Sequence, residues 1–219
     1  MKILLASVDL DEVRWASSNC LADGVWTTPA LVASAEGEPR EVIADICRVA
    51  GMPVWATVTH IGAQDIYRDG KELAKISDLV AVQVPFVEDA IGAMRRLSAD
   101  GVRVGATLVF NAAQALLAAK AGASTVTTAI DQLAAVGEHT TEVVREIRRV
   151  FDVNDVECDV MAALPGNAAQ FADCAVAGAD SVSLTPAVLR SLLVHPLTDR
   201  GVDQFLNELA RHARGRVPT

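Results

Sequence analysis

The 219-residue sequence predicts an α/β protein built as a single (β/α)8 barrel with one extra helix at its end. Three observations carry that expectation. Short apolar or β-branched runs alternate eight times with amphipathic stretches rich in Ala, Leu, Arg and Glu, the signature of repeated βα units. The length lies near the lower end of the roughly 200 to 400 residues that one such barrel takes. No linker, low-complexity stretch or second repeat interrupts the chain, so residues 1–219 are expected to form one domain. The barrel takes about 1–195 and a last amphipathic helix about 199–214.

In order, the expected strands are KILLA (2–6), GVWTT (24–28), PVWATVT (53–59), LVAVQV (79–84), VRVGATLV (102–109), STVTT (124–128), ECDVM (157–161) and SVSL (181–184). Helix signals fall between them. Asp9 and Glu12 form a capping box, Asn111 opens NAAQALLAAKAG, and Pro165 and Pro186 fit the first turns of the two helices that follow them. Pro85 is expected to stop the fourth strand. Pro196 breaks the chain after the eighth unit, and the remaining helix either closes the barrel's end or packs on a neighbouring subunit.

Composition removes several classes of function. No stretch approaches the roughly 18 apolar residues that cross a bilayer, and the apolar run near Met1 is too short for a signal peptide's core, so no membrane role is expected. A formal net charge of −9 repels polyanions, which argues against nucleic acid as a partner. Cys20, Cys47, Cys158 and Cys174 form no CxxC pair and fall in segments that read as core, which suits the reducing cytoplasm. No His/Asp/Glu group has metal-ligand spacing, so neither metal nor other cofactor is expected.

Chemistry in such barrels sits at the C-terminal ends of the strands. Gln83 is the one polar residue of LVAVQV; it is either a substrate-binding amide or a buried amide tying two strands together. His60 follows WATVT at the rim, where an imidazole can transfer protons or merely cap a helix. Thr28, Thr57, Thr107 and Thr127 lie at or near strand ends, where hydroxyls bind substrate oxygens, although threonine also favours strands for its shape. Asp131 follows the sixth strand, as a substrate carboxylate or a solvated loop acid. Trp26, Trp55 and Phe110 come near the same rim and offer an apolar wall, or ordinary packing. Asp159 is a charge within a strand whose direction is open. His139, His195 and His212 read as surface or packing residues.

With those residues in view, the chain resembles the small transaldolases of the fructose-6-phosphate aldolase-like branch over nearly its whole length. The segments that carry this are GVWTTPALVA (24–33), VAVQVPFVEDAIGAMRRLSADGVRVGATLVFNAAQALLAAKAGAS (80–124) and AGADSVSLTPAVLRSLLVHP (177–196), against family patterns GVTTNPS, VKVP and T-A-V-F/Y-x-x-x-Q-A. The resemblance implies a ketose phosphate bound as an imine to the lysine of VKVP. Here that position is Gln83, and an amide cannot form an imine. Lys2, Lys71, Lys75 and Lys120 are expected to lie outside the pocket.

The family's first-strand aspartate aligns with Ala6, its TTNP asparagine with Thr28, and its third-strand glutamine or glutamate with Thr57. The tyrosine after strand six aligns with Ala129, and the phosphate-clamping serine and arginine fall around Ala163 and LPGNAAQ. Of that constellation Thr107 is kept. The leading expectation is therefore an enzyme on this scaffold that acts on a small, uncharged or weakly anionic carbonyl compound without a lysine imine. His60 would move protons, Gln83 and Thr107 would hold the substrate oxygen, and the aromatic wall would hold an apolar part. The alternatives are an aldolase or transaldolase working on sugar phosphates by another route, and a non-catalytic ligand-binding or scaffold subunit. The resemblance further implies a homo-oligomer, a pentamer or decamer, with the last helix crossing to a neighbour.

Overall fold

The computed structural model describes residues 1–138 and 140–214, with side chains as far as Arg211; His139 and the side chain of His212 lie outside the described residues. Eight parallel strands close on themselves in sequence order, β1 through β8, with β1 also paired to β8. The strands are β1 Lys2–Leu5, β2 Gly24–Trp26, β3 Val54–Thr57, β4 Val80–Pro85, β5 Val104–Thr107, β6 Thr125–Ala129, β7 Asp159–Ala163 and β8 Ser181–Leu184. This is the expected (β/α)8 barrel, with each strand falling on its run in the sequence. Strands closed this way have no edge on which a backbone N–H or C=O stays unpaired.

The helices are α1 Leu10–Ser18, α2 Pro29–Ser34, α3 Pro39–Ala50, α4 Ala63–Ala74, α5 Glu88–Ala99, α6 Ala112–Lys120, α7 Ile130–Ala135, α8 Thr140–Val153, α9 Ala168–Val176, α10 Pro186–Ser191 and α11 Pro196–Arg214. Short α2 and α7 are additions to the one helix expected per strand. α2 follows β2 after two residues and α7 follows β6 directly, so both form part of the C-terminal rim.

Period-two alternation sorts the strand residues into two cores. Outward residues such as Val54, Ala56, Val82 and Val84 join the helices in the large outer core. Inward residues Leu4, Ala6, Trp26, Trp55, Ala81 and Met161 make a separate cluster within the barrel. Gly105 serves that interior: a Cβ there would stand 2.7 Å from Cζ3 of Trp55, so the indole lies over β5 only because the position is glycine.

Several local expectations are corrected. Asp9 caps α1 by accepting from the N–H groups of Asp11 and Glu12, but Glu12 does not reach back to it; Glu12 accepts from the Ser7 hydroxyl at 2.6 Å, and Ser7 Oγ accepts the Asp9 N–H. Pro165 precedes α9, whose cap is Asn167, whereas Pro186 does open α10. Pro85 is the last residue of β4 and pairs with Thr107, because the end of a strand needs no further N–H from it. Cys20 is exposed in a left-handed turn (φ 54°), while the other three cysteines are buried. Among the described residues no helix is long and apolar enough to cross a membrane.

Candidate active site

At the C-terminal mouth of the barrel the strand ends enclose a cavity of about 390 Å³. That is within the roughly 300 to 1,000 Å³ usual for small-molecule sites. Its apolar wall includes Trp26, Val58, Ile61, Pro85, Leu108 and Leu164, and its hydroxyls come from Thr28, Thr57, Thr59, Thr107 and Thr127. The titratable side chains that line it are His60 and Asp131. Among the described residues no lysine or arginine does so. The four lysines of the sequence are all described: Lys2 pairs with Asp159 at the opposite mouth, Lys71 with Asp100, Lys75 with Glu72, and Lys120 is exposed at the end of α6.

Gln83 lies beneath this cavity rather than in its wall. It is 1% exposed, its Oε1 accepts from Trp26 Nε1 at 2.8 Å, and its Nε2 donates to the Thr27 carbonyl at 3.2 Å. The amide therefore ties β4 to β2 across the barrel and satisfies the indole of a tryptophan that is itself a pocket wall. Of the two readings open from sequence, the strand-tying amide is the one the geometry carries.

His60, in the loop after β3, lines the pocket and is half exposed. Its Nδ1 is hydrogen-bonded to Oδ2 of Asp69, on α4. The Thr59 hydroxyl donates to the same oxygen at 3.2 Å. Asp69 was not a candidate from sequence: it sits nine residues on, and only the way α4 turns back beneath the loop brings the two together.

The other candidates divide. Thr28 lines the cavity, but its Oγ1 is engaged as the cap of α2, accepting from Leu31 N at 3.1 Å. Thr57 Oγ1 reaches the Thr27 carbonyl only at 3.4 Å. Thr107 lies beside Thr127, since Gly105 pairs with Thr125 and Ala106 with Val126 just before them. Thr127 is 2% exposed and its Oγ1 has no hydrogen-bond partner. Asp131 is not a loop acid but sits exposed in the first turn of α7, where the positive end of the helix dipole favours it.

Two of the aromatic assignments fail. Trp55 is one inward layer below Thr57 and lines two depressions at the N-terminal mouth, with Lys2, Arg103 and Asp159. Phe110 is not in the cavity wall. The apolar surface that sequence assigned to them comes from Leu108 and Leu164, which follow β5 and β7 with left-handed backbones (φ 60° and 58°). Such a conformation costs a non-glycine residue of order 1–3 kcal/mol, and it recurs at sites where side-chain direction matters. The larger N-terminal depression, about 660 Å³, is polar and holds the Lys2–Asp159 pair, which answers where Asp159 points. In this fold that face serves stability rather than chemistry.

No reactive thiolate is at hand either. Burial pushes Cys158 up to about 12 and Cys174 up to about 11, and it also raises Cys47; none of these lines the cavity.

The backbone donors at the rim are largely spoken for. Asn111 accepts from Gln114 N at 2.9 Å while Gln114 Oε1 accepts from Phe110 N at 2.9 Å. The same Asn-x-x-Gln arrangement recurs after β7, where Asn167 accepts from Gln170 N at 3.0 Å and Gln170 from Gly166 N at 2.7 Å. Thr185 accepts from Val188 N at 3.3 Å.

Residues 3–215 match the family model described as Transaldolase/Fructose-6-phosphate aldolase. A probable transaldolase of Hyphomonas neptunium is 39% identical over 206 residues, covering 94% of this chain and 95% of its own. A probable transaldolase of Caulobacter vibrioides is 38% identical over 210 residues, covering 96% and 97%. Among solved structures, a chain of a cube-shaped, highly porous protein cage, designed by fusing symmetric oligomeric domains, superposes with a TM-score of 0.61 over 98% of this chain and 79% of that one, at 14% identity. At that identity the superposition speaks for the fold alone.

Proposed function

The chain belongs to the transaldolase/fructose-6-phosphate aldolase family of enzymes, and we propose that within it this protein works on a small, uncharged carbonyl compound without a lysine imine. The observation that carries this reading is the cavity wall: it contains His60 and five threonine hydroxyls but no amine, and the position where relatives of this type are expected to carry lysine is a buried amide already bonded to Trp26 and Thr27. His60 Nε2 takes a proton from the carbon next to the substrate carbonyl. The electrons of that C–H bond form the enolate C=C, and the carbonyl oxygen, now carrying the charge, accepts a hydrogen bond from Thr107. An enolate carbon can then attack an aldehyde, so the carbon–carbon bond chemistry named for the relatives remains open by this route.

The absence of cations argues for the uncharged substrate. A phosphate dianion would need Arg or Lys, or free backbone N–H groups at a helix N-terminus. Among the described residues neither cation lines the cavity, and the side chains of Asn111, Gln114, Asn167, Gln170 and Thr185 already engage rim donors.

The test has two arms. Borohydride treatment with hydroxyacetone, dihydroxyacetone or 2-hydroxyacetophenone, read by intact mass, is expected to leave the protein unmodified; a reduced adduct on any lysine would sink the proposal. In deuterated water the protein is expected to exchange the α-protons of at least one of these compounds, and His60→Ala to slow that exchange about 100-fold or more. Exchange by none of them would favour a non-catalytic ligand-binding subunit.

We also propose that the protein is a homo-oligomer in the cytoplasm and that α11 docks on a second copy. Val202, Phe205, Leu206 and Leu209 follow i, i+3, i+4, i+7 spacing along one face of α11, and each is at least 50% exposed in the single chain.

A further inference from the structure

We infer that Asp69 is the positioning residue of a His60–Asp69 acid–base pair at the mouth of the cavity, fixing the imidazole in the tautomer that leaves Nε2 free for substrate. The inference rests on the reading of His60 as the base and goes beyond it by naming what makes that histidine serviceable.

The argument is one of donors and acceptors. A neutral imidazole carries a single N–H, and an ionised carboxylate can only accept. The hydrogen bond between His60 Nδ1 and Asp69 Oδ2 therefore requires the proton on Nδ1, and Nε2 keeps its lone pair. Asp69 is itself held. It lies on α4 in the second turn, its side chain is 19% exposed, and Thr59 Oγ1 donates to the same carboxylate oxygen at 3.2 Å. His60 in turn sits on a loop and is 53% exposed; among the described residues its ring is held at Nδ1 by Asp69 Oδ2, with the Thr59 hydroxyl a longer second contact at 3.3 Å to the same nitrogen.

When Nε2 takes a proton the ring becomes an imidazolium, and the Asp69 charge at Nδ1 stabilises it; the nearby acid Asp65 is paired with Arg68 at 2.6 Å, and Asp131 faces the cavity from α7. This is the base-plus-orienting-carboxylate logic of acid–base sites generally. Sequence could not supply it, because His60 precedes α4 and no helical spacing relates the two residues.

The pairing can be read without substrate. Nitrogen NMR of the full chain, labelled at histidine, is expected to show neutral wild-type His60 mainly as the Nδ1–H tautomer. Asp69→Asn offers an amide N–H to Nδ1 and is expected to move the proton to Nε2. In the α-proton exchange assay the same variant should lose about 100-fold in rate, with little change in KM for the exchanged compound. Thr59→Val removes the hydroxyl that reaches both Asp69 Oδ2 and His60 Nδ1 but leaves the bond between ring and carboxylate, and should lose much less.

A dominant Nε2–H tautomer in the wild type would overturn the inference, and that spectrum needs no variant to fold. Wild-type exchange rates in Asp69→Asn would overturn it too. The two levels separate cleanly: loss of exchange in His60→Ala without loss in Asp69→Asn removes Asp69 alone, while exchange surviving both substitutions removes the base reading on which it stands.

Discussion

Replacing Gln83 with methionine tests whether that side chain is a structural tie. Methionine keeps the unbranched shape and roughly the volume, and removes only the polar atoms. Trp26 is 6% exposed and its Nε1–H donates to Gln83 Oε1 at 2.8 Å, so the substitution leaves a buried donor with no partner. The Thr27 carbonyl loses the Nε2 donor at 3.2 Å and keeps only the Thr57 hydroxyl at 3.4 Å among side-chain donors. A buried donor without a partner costs about 1–3 kcal/mol. For a chain of this length that lowers Tm by about 2–12 °C, at roughly 2–4 °C per kcal/mol.

Urea unfolding at fixed protein concentration, so that any association contributes equally, measures the change. The decisive arm is a double-mutant cycle with Trp26→Phe. That change alone strands Gln83 Oε1 and shrinks a ring; made on top of Gln83→Met it only shrinks the ring. The pair is expected to couple by about 1–2 kcal/mol, well above the 0.3–0.5 kcal/mol scatter of independent sites. Coupling within that scatter would refute the strand tie and return Gln83 to the list of substrate ligands.

Two further outcomes follow from single observations. Thr127→Val removes a buried hydroxyl that has no partner and fills the same space, so stability should hold or rise by about 1 kcal/mol, roughly 2–4 °C in Tm. A fall of more than about 4 °C would mean that the hydroxyl is bonded in solution. Phe205→Glu with Leu209→Glu places two charges on the apolar face of α11, where each buried side chain would otherwise contribute about 1.5–3 kcal/mol to an interface. Sedimentation should then show dissociation to the single chain, whereas an unchanged coefficient would remove α11 from the contact.

The barrel was legible because the eight strand runs each combine β-branched density with a following amphipathic stretch, and topology then leaves little choice. The cap at Asn111 was legible too, as a small polar residue ahead of a helical run, whereas Thr28, which reads from sequence as a substrate hydroxyl, caps α2, as Thr185 caps α10. What alternation along one strand does not give is height within a staggered barrel. Trp26 and Trp55 are partners in register, and both look like tryptophans next to a threonine-rich strand end. Two residues still follow Trp55 in β3, and the inward one, Thr57, occupies the layer above it, so one indole faces the cavity and the other faces the opposite mouth.

Leu108 and Leu164 escaped notice for a related reason. Each was counted as strand or loop, yet a left-handed backbone just past the strand end turns the side chain into the cavity wall, and nothing in a leucine signals positive φ. Gln83 shows the opposite limit. Its strand, its polarity and its inward direction were all readable, and they are equally consistent with a ligand and with a tie. Only the position of Trp26 Nε1 decides between them, and that depends on how β2 lies across the barrel from β4. The polar atoms of Gln83 are engaged by the scaffold, and that is why the proposed chemistry is placed on the groups that face the cavity, among which His60 is the one whose ring is bonded to a carboxylate.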